Sequence, residues 1–432
     1  MSLYGEEAMR SSFLWTKQEK KISRKVDLHM KKFLALILAL VMALSLVACG
    51  GGNNTPATDD NQNTDDNQNA DATAYKVAMI TDYGDITDQS FNQTTYEACK
   101  AFAEANGVDF KYFKPAGDNT ADRVAMIESA IDEGYNVIVM PGYAFGAAIA
   151  ETAPNFSDVK FIALDVSAGD LGEGFEVPAN LYCAVYQEEL CGYMAGYAAV
   201  KLGYKNLGFL GGMAVPAVQR YGYGFVQGVD AAAVELGLTD VKVNYAYGNQ
   251  FFGDADITAA LDTWYAGGTQ VVFACGGGIY TSAVDAAKKV EGAKVIGVDV
   301  DQAGVIANYA AGEGADEATI EGYKALTVTS AMKGLYPATF DTLTDVIVNG
   351  NWEKFSGKID TLGLVSADDP TANYVQIPME STQWADGKFT QDDYKALVKA
   401  MFDGTLTVSN DITKAAKDFA TVIAGDDQGN IK

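Results

Sequence analysis

The sequence predicts an α/β protein whose body is two lobes, each built on its own mostly parallel sheet, and three observations carry that expectation. From Tyr75 onward, short apolar runs of strand length alternate with amphipathic stretches of helical length. The alternation falls into two successive series of about four units, separated near Gln187, which suits two Rossmann-like lobes, although about eight units could also close into a barrel. Finally, three of the apolar runs lead straight into an aspartate, at the strand end where open α/β sheets place ligand-binding groups.

The chain opens with a segment unrelated to that body. Met30 begins MKKFLALILALVMALSLVACGGG, with two lysines, an apolar stretch from Phe33 to Val47, and a small residue before Cys49. This is the layout of an export signal, and the stretch is short for a full membrane span. We therefore expect residues 30–48 to be removed, Cys49 to carry lipid, and residues 1–29 to be an upstream start-site artefact. Two acyl chains on one cysteine suffice for stable anchoring. Residues 49–74 then supply almost nothing apolar of any size, and DDNQN occurs at 59–63 and again at 65–69. Such a tract cannot bury a core and reads as a linker.

The elements of the body come in order. KVAMIT (76–81) precedes a helical stretch with Ala98, Phe102 and Ala105 on one face, stopped by Gly107. VDFKYF (108–113) leads to a second helix capped by Asn119, with Val124, Ile127 and Ile131 at helical spacing. NVIVM (136–140) and KFIAL (160–164) continue the first sheet. The second series comprises a small-residue helix at 188–201, NLGFL (206–210), a long helix from Pro216, VKVNYAY (241–247) and a helix near 257–265. QVVFA (270–274), a helix near 283–290 and KVIGV (294–298) complete it. Residues near 320–380 are expected to return to the first lobe, with strands near 326–330 and 374–378. The expected organisation is thus 75–185 with 300–432 as the N-terminal lobe and its C-terminal extension, and 186–299 as the C-terminal lobe.

Charge and composition narrow the function classes. The chain carries 31 Lys+Arg against 57 Asp+Glu. Residues 1–48 hold 8 basic and 4 acidic side chains, which leaves 23 and 53 in residues 49–432, a balance of −30. A surface that acidic repels nucleic acid, so no nucleic-acid partner is expected. The single histidine is His29, upstream of the signal, which argues against Ser-His-Asp triads and His-based metal sites in the body. Gly276–Gly278 lacks the GK[ST] of a phosphate-binding P-loop, and DVDQAG (299–304) fails as a calcium loop because Ala303 and Ala310 stand at ligand positions. No metal and no cofactor is expected. Cys99, Cys183, Cys191 and Cys275 each lie in apolar context without CxxC spacing, and are expected to be buried thiols.

The candidate chemistry is that of binding. Asp82, Asp165 and Asp299 each follow a strand, and an ionised carboxylate only accepts hydrogen bonds, which suits hydroxyl or amine donors on a ligand. Any one of them is as readily a turn former or helix cap; three at equivalent places carry more weight. Phe91, Tyr143, Phe145, Phe251, Phe252 and Trp264 lie near strand-to-helix loops and offer faces on which a flat ring stacks.

DYGDITDQSFNQ (82–93), EELCGYMAGYAA (188–199), GFLGGMAVPAVQRYGYGFVQGV (208–229), CGGGIYTSAVDAA (275–287), VIGVDVDQ (295–302) and TSAMK (329–333) closely resemble, in order, the motifs of the basic-membrane-protein lipoproteins, also called PnrA-like nucleoside-binding proteins. The resemblance covers roughly residues 75–380. It implies a type I periplasmic-binding-protein fold, two lobes joined by a three-strand hinge, and capture of a purine nucleoside for an ABC permease and its ATPase. Carried over by motif, it implies ligand-binding roles for Asp82, Phe91, Asp165, Phe252 (with Phe251 the register alternative), Gly277, Asp299 (with Asp301 the alternative) and Lys333. Phe91 and Phe252 would sandwich the base, Gly277 would bring backbone close to it, and Asp299 would hold the ribose hydroxyls. Two departures stand out: Tyr83 follows Asp82 where a smaller polar residue is common, and the 303–325 segment is long.

Three function classes are consistent with these features. The first is a nucleoside receptor for import, and the second a sensor of the same fold passing occupancy to a membrane receptor. The third is a nucleosidase using two carboxylates. The resemblance and the absence of any other catalytic signature favour a binding protein over an enzyme.

Overall fold

The computed structural model describes residues 74–421 and 423–431; the signal, Cys49 and the linker lie outside the described residues. Two open sheets organise the body, so the barrel alternative is excluded. The first sheet contains β1 (Lys76–Ile80), β2 (Asp109–Phe113), β3 (Val137–Pro141), β4 (Lys160–Leu164), β5 (Leu181–Tyr186) and β11 (Lys358–Leu362), in the order β11-β5-β4-β3-β1-β2. The second contains β6 (Asn206–Gly211), β7 (Lys242–Tyr247), β8 (Val271–Cys275), β9 (Lys294–Asp299), β10 (Thr327–Lys333), β12 (Val375–Gln376) and β13 (Ala424–Asn430), in the order β12-β10-β9-β8-β6-β7-β13. All pairings are parallel except β10 with β12. Parallel strands covered on both faces need near-continuous apolar runs, and β3 (VIVMP) and β8 (VVFAC) are buried at every residue. The edge strand β2 keeps only Phe113 fully buried.

The topology corrects the expected partition. Thr327–Lys333 and Val375–Gln376 do not return to the first sheet; they extend the second, with Thr327 to Met332 paired to β9. The C-terminal strand β13 also joins the second sheet, alongside β7. Hence 300–432 is not an N-terminal-lobe segment. What returns to the first lobe is 335–362: helix α11 (Leu335–Leu343) packs on α1 (Phe91–Asn106), and β11 pairs with β5. An apolar run specifies a strand but not the sheet it enters, and β10 is placed by the connection from β9 through α9 (Ala303–Ala311) and α10 (Glu317–Lys324), the long segment noted in the sequence. The chain thus crosses between sheets three times: after Tyr186, after Lys333 and between Leu362 and Val375.

One helix pair positions several side chains of the cleft between the lobes. α5 (Glu188–Leu202) begins at the first crossing and lies against α6 (Pro216–Leu236). Glycines alternate across the contact: a Cβ at Gly192 or Gly196 would run into the carbonyl of Tyr221 or Phe225, and one at Gly224 or Gly228 into that of Glu189 or Tyr193. Backbones this close leave no room for side chains, which explains the small-residue composition of α5. Cys99, Cys183, Cys191 and Cys275 are buried free thiols, as expected.

Candidate functional site

A cavity of about 880 Å³, counting all space between its walls and the solvent at its mouth, opens between the two lobes at the carboxyl ends of the strands. That size is ordinary for a small-molecule site. Asp82, Phe91, Asp165, Gly277, Asp299 and Lys333 all line it. Phe252 does not: its side chain is 62% exposed, and its backbone bridges to Gly278. The residue on the cavity wall is Phe251. A loop carries no periodicity to choose between neighbours; here Gly212 and Gly276 make the choice, because a Cβ at either would collide with the Phe251 ring. Asp301 also lies away from the cavity and accepts from Ser381 Oγ at 2.7 Å.

Each aspartate ends a strand and is held differently. Asp82 Oδ1 accepts from the backbone N–H groups of Tyr83 and Gly84, both at 2.6 Å, and from Asn92 Nδ2 at 3.2 Å. Burial pushes its carboxyl above the usual range, against the pull of these hydrogen bonds and of Arg123. Among the described residues nothing donates to its Oδ2. Asp165 and Asp299, at the ends of β4 and β9, both adopt left-handed backbone, with φ of 58° and 64°. A non-glycine residue in that region costs free energy and is found where the surrounding structure enforces it. Equivalent positions in the two lobes thus aim a carboxylate into the cleft.

Lys333, at the end of β10 where the chain crosses lobes, lines the cavity and gathers several of its acidic groups. Its ammonium pairs closely with Asp165 Oδ2 and lies 3.7 Å from both Glu188 Oε1 and Asp299 Oδ1. It also sits 4.7 Å from the centroid of the Phe91 ring. Burial alone would depress the lysine, but Asp165, Asp299 and Glu188 more than offset this and hold it above its ordinary value. Glu188 accepts from Arg220 Nε at 2.6 Å; burial raises its carboxyl, Arg220 and Lys333 oppose, and Asp165 adds to the rise. Buried Asp165 Oδ1 and Glu188 Oε1 take no hydrogen bond from any described residue. Asp299 is already engaged: Ser90 Oγ donates to Oδ2 at 2.6 Å and Tyr221 OH to Oδ1 at 3.2 Å.

Glu188, Arg220 and Tyr221 were not singled out in the sequence, where they read as ordinary helix residues. A signal existed: two consecutive glutamates opening an otherwise apolar, small-residue helix must be buried with it. Both are, at 0% and 2% exposure. Asp88, in the opening motif, caps α1 by accepting from the backbone of Ser90, Asn92 and Gln93. Gly277, with φ of 49°, lines the cavity, but its missing Cβ makes room for the carbonyl of Phe251.

Two parallel-sheet lobes, three crossings and a cleft at the strand ends with converging carboxylates and aromatic rings define a solute-binding protein. The chain belongs to the PnrA-like family of ABC transporter substrate-binding proteins, whose model matches residues 75–367. A relative from Lactococcus lactis, an "ABC transporter nucleoside-binding protein BmpA", is 28% identical over 242 residues, 53% of this chain and 65% of that protein, so the match spans just under two thirds of its length. Basic membrane protein B of Borreliella burgdorferi is 26% identical over 297 residues, covering 67% of this chain and 78% of that protein. Among solved structures, an ABC transporter solute-binding protein of Aeropyrum pernix superposes with a TM-score of 0.58 at 20% identity, covering 80% of this chain and 90% of that one, a likeness of fold. Among the described residues, no helix is long and apolar enough to cross a membrane.

Proposed function

We propose that this chain captures a nucleoside, purine in the first instance, in the interlobe cavity and delivers it to an ABC permease and its ATPase. The observation that carries the reading is the joint presence, in one cleft, of aromatic faces (Phe91, Phe251) and of a buried carboxylate oxygen, Asp165 Oδ1, that takes no hydrogen bond from any described residue. The rings suit a flat base, at about 1–3 kcal/mol per stacked base. Acceptor-only groups suit ribose hydroxyls and ring N–H groups. The name of the Lactococcus relative supports the same ligand class. Cys49, carrying lipid, would hold the protein to the extracytoplasmic face of the membrane, with 49–74 as its tether.

In this reading the ligand leaves unchanged. Glycosidic hydrolysis with two carboxylates needs one to protonate and one to attack or activate water. Lys333 pairs with Asp165, and Ser90 and Tyr221 both donate to Asp299, so both carboxylates are held in place as hydrogen-bond acceptors. The test is calorimetric titration of a chain beginning at Tyr75, freed of ligand by unfolding and refolding, with guanosine, adenosine, inosine, cytidine and ribose. Micromolar or tighter binding of a purine nucleoside, with ribose inert and no free base released, is the expected result. Silence across the panel would remove the nucleoside assignment.

A further inference from the structure

We propose that Tyr83 sets the size of the ring system the cavity admits, a specificity role that rests on the nucleoside reading above. Tyr83 follows β1 directly and lines the cavity. Its ring is fixed from several sides. The phenol donates to Met213 Sδ in the other lobe at 3.6 Å, and Tyr143 OH reaches the same sulfur at 3.7 Å. The Arg123 guanidinium lies 5.8 Å from the ring centroid. Its backbone N–H is tied to Asp82 Oδ1, so the main chain there has little freedom to slide.

Across the cleft, the Tyr83 ring faces Phe251 with centroids 6.2 Å apart and planes inclined by 29°. Phe251 has no room to retreat, because its ring is seated directly on the backbone of Gly212 and Gly276. A ligand ring stacking on Phe251 must therefore share the open side of that ring with Tyr83. Swinging Tyr83 away would break the Met213 contact that spans the lobes. A base fused to an additional ring would have to displace the Tyr83 ring from these contacts. Close-packed surroundings charge about 1–3 kcal/mol for extra volume of this kind, which is roughly 5- to 150-fold in affinity.

The experiment compares adenosine with 1,N6-ethenoadenosine, which adds a fused ring to the same base, by calorimetry on the ligand-free protein in detergent micelles. The unaltered protein is expected to bind ethenoadenosine roughly tenfold or more weakly than adenosine, and Y83A to shrink that gap to about threefold or less. Y83F keeps the bulk and loses only the hydroxyl, so it should keep the gap. Thermal unfolding of both variants verifies that they are folded. Equal affinity of the unaltered protein for the two nucleosides, a gap undiminished in folded Y83A, or a gap lost in Y83F would each overturn the role of Tyr83 while leaving the nucleoside reading intact. Absence of binding by any nucleoside would overturn that reading, and this inference with it.

Discussion

The residue with the most at stake in this molecule is Lys333. Three carboxylates face its ammonium within 3.7 Å, and among the described residues only Arg220 offers them a second cation, through Glu188. Removing one member of a buried ionic group leaves uncompensated charge behind, typically at about 3–5 kcal/mol. Lys333→Met should therefore lower the unfolding free energy by about 3 kcal/mol or more, read from the denaturant midpoint, and abolish ligand binding. A loss under about 1 kcal/mol would mean the carboxylates find other compensation. Glu189 behaves in the opposite way. Burial, with Glu188 adding repulsion, pushes its carboxyl from 4.5 to about 7, and its Oε2 finds no donor among the described residues. The folded protein thus holds a proton there that the unfolded chain gives up between pH 4.5 and 7, so this contribution is fully present below about 4.5 and lost as pH rises through about 7. Glu189→Gln, which cannot ionise, should raise stability at pH 8 by about 2–3 kcal/mol and flatten the pH 5–7 slope of the unfolding midpoint. An unchanged slope would show that another group titrates there.

At the scale of elements, the α5–α6 contact sets where Glu188, Arg220 and Tyr221 stand. Its alternating glycines predict a contrast. Gly224→Ala places a methyl against the Glu189 carbonyl and should cost about 2 kcal/mol or more, with weakened ligand binding as Glu188 shifts. Gly322 lies inside α10, where an added methyl would meet nothing within 4 Å, and should gain about 0.5–1 kcal/mol on substitution by Ala. Equal effects at the two sites would show that α5 and α6 can separate freely. The same level explains what the sequence disclosed. Strand ends are legible because an apolar run stops at a polar residue, and Asp82, Asp165 and Asp299 all reached the cavity. The choice between Phe251 and Phe252 was not, since it depends on which ring two distant glycines can seat. Nor was the sheet joined by Thr327–Lys333 and Val375–Gln376, because periodicity reports burial and not the partner. Leu181–Tyr186, Lys358–Leu362 and 424–430 were not named as strands at all; the last two are edge or weakly apolar segments whose pairing is imposed by the sheet.

Over the whole molecule, the two lobes meet in contacts that close the cleft: Ser90 to Asp299, Tyr83 and Tyr143 to Met213, and Gln302 Nε2 to the Gln89 carbonyl at 3.3 Å. A two-lobed receptor binds with an apparent affinity reduced by the fraction of protein in the closed, competent state, so contacts between lobes tune affinity without touching the ligand. Ser90 separates this effect from folding. It stands at the N-cap of α1, yet its side chain accepts no hydrogen bond from that helix. Asp88 performs the capping, and the Ser90 hydroxyl is directed to the other lobe. Ser90→Ala therefore removes a hydrogen bond to a charged acceptor, worth about 1.5–3 kcal/mol, from the closed state alone. Ligand affinity should fall by roughly tenfold or more, while the unfolding midpoint of the ligand-free protein stays close to that of the parent. Small-angle scattering should show the variant needing correspondingly more ligand to reach the compact form. Affinity unchanged in Ser90→Ala would mean that closure rests on the ligand and on the Lys333 hub, and that the bond from Ser90 forms on closure without favouring it.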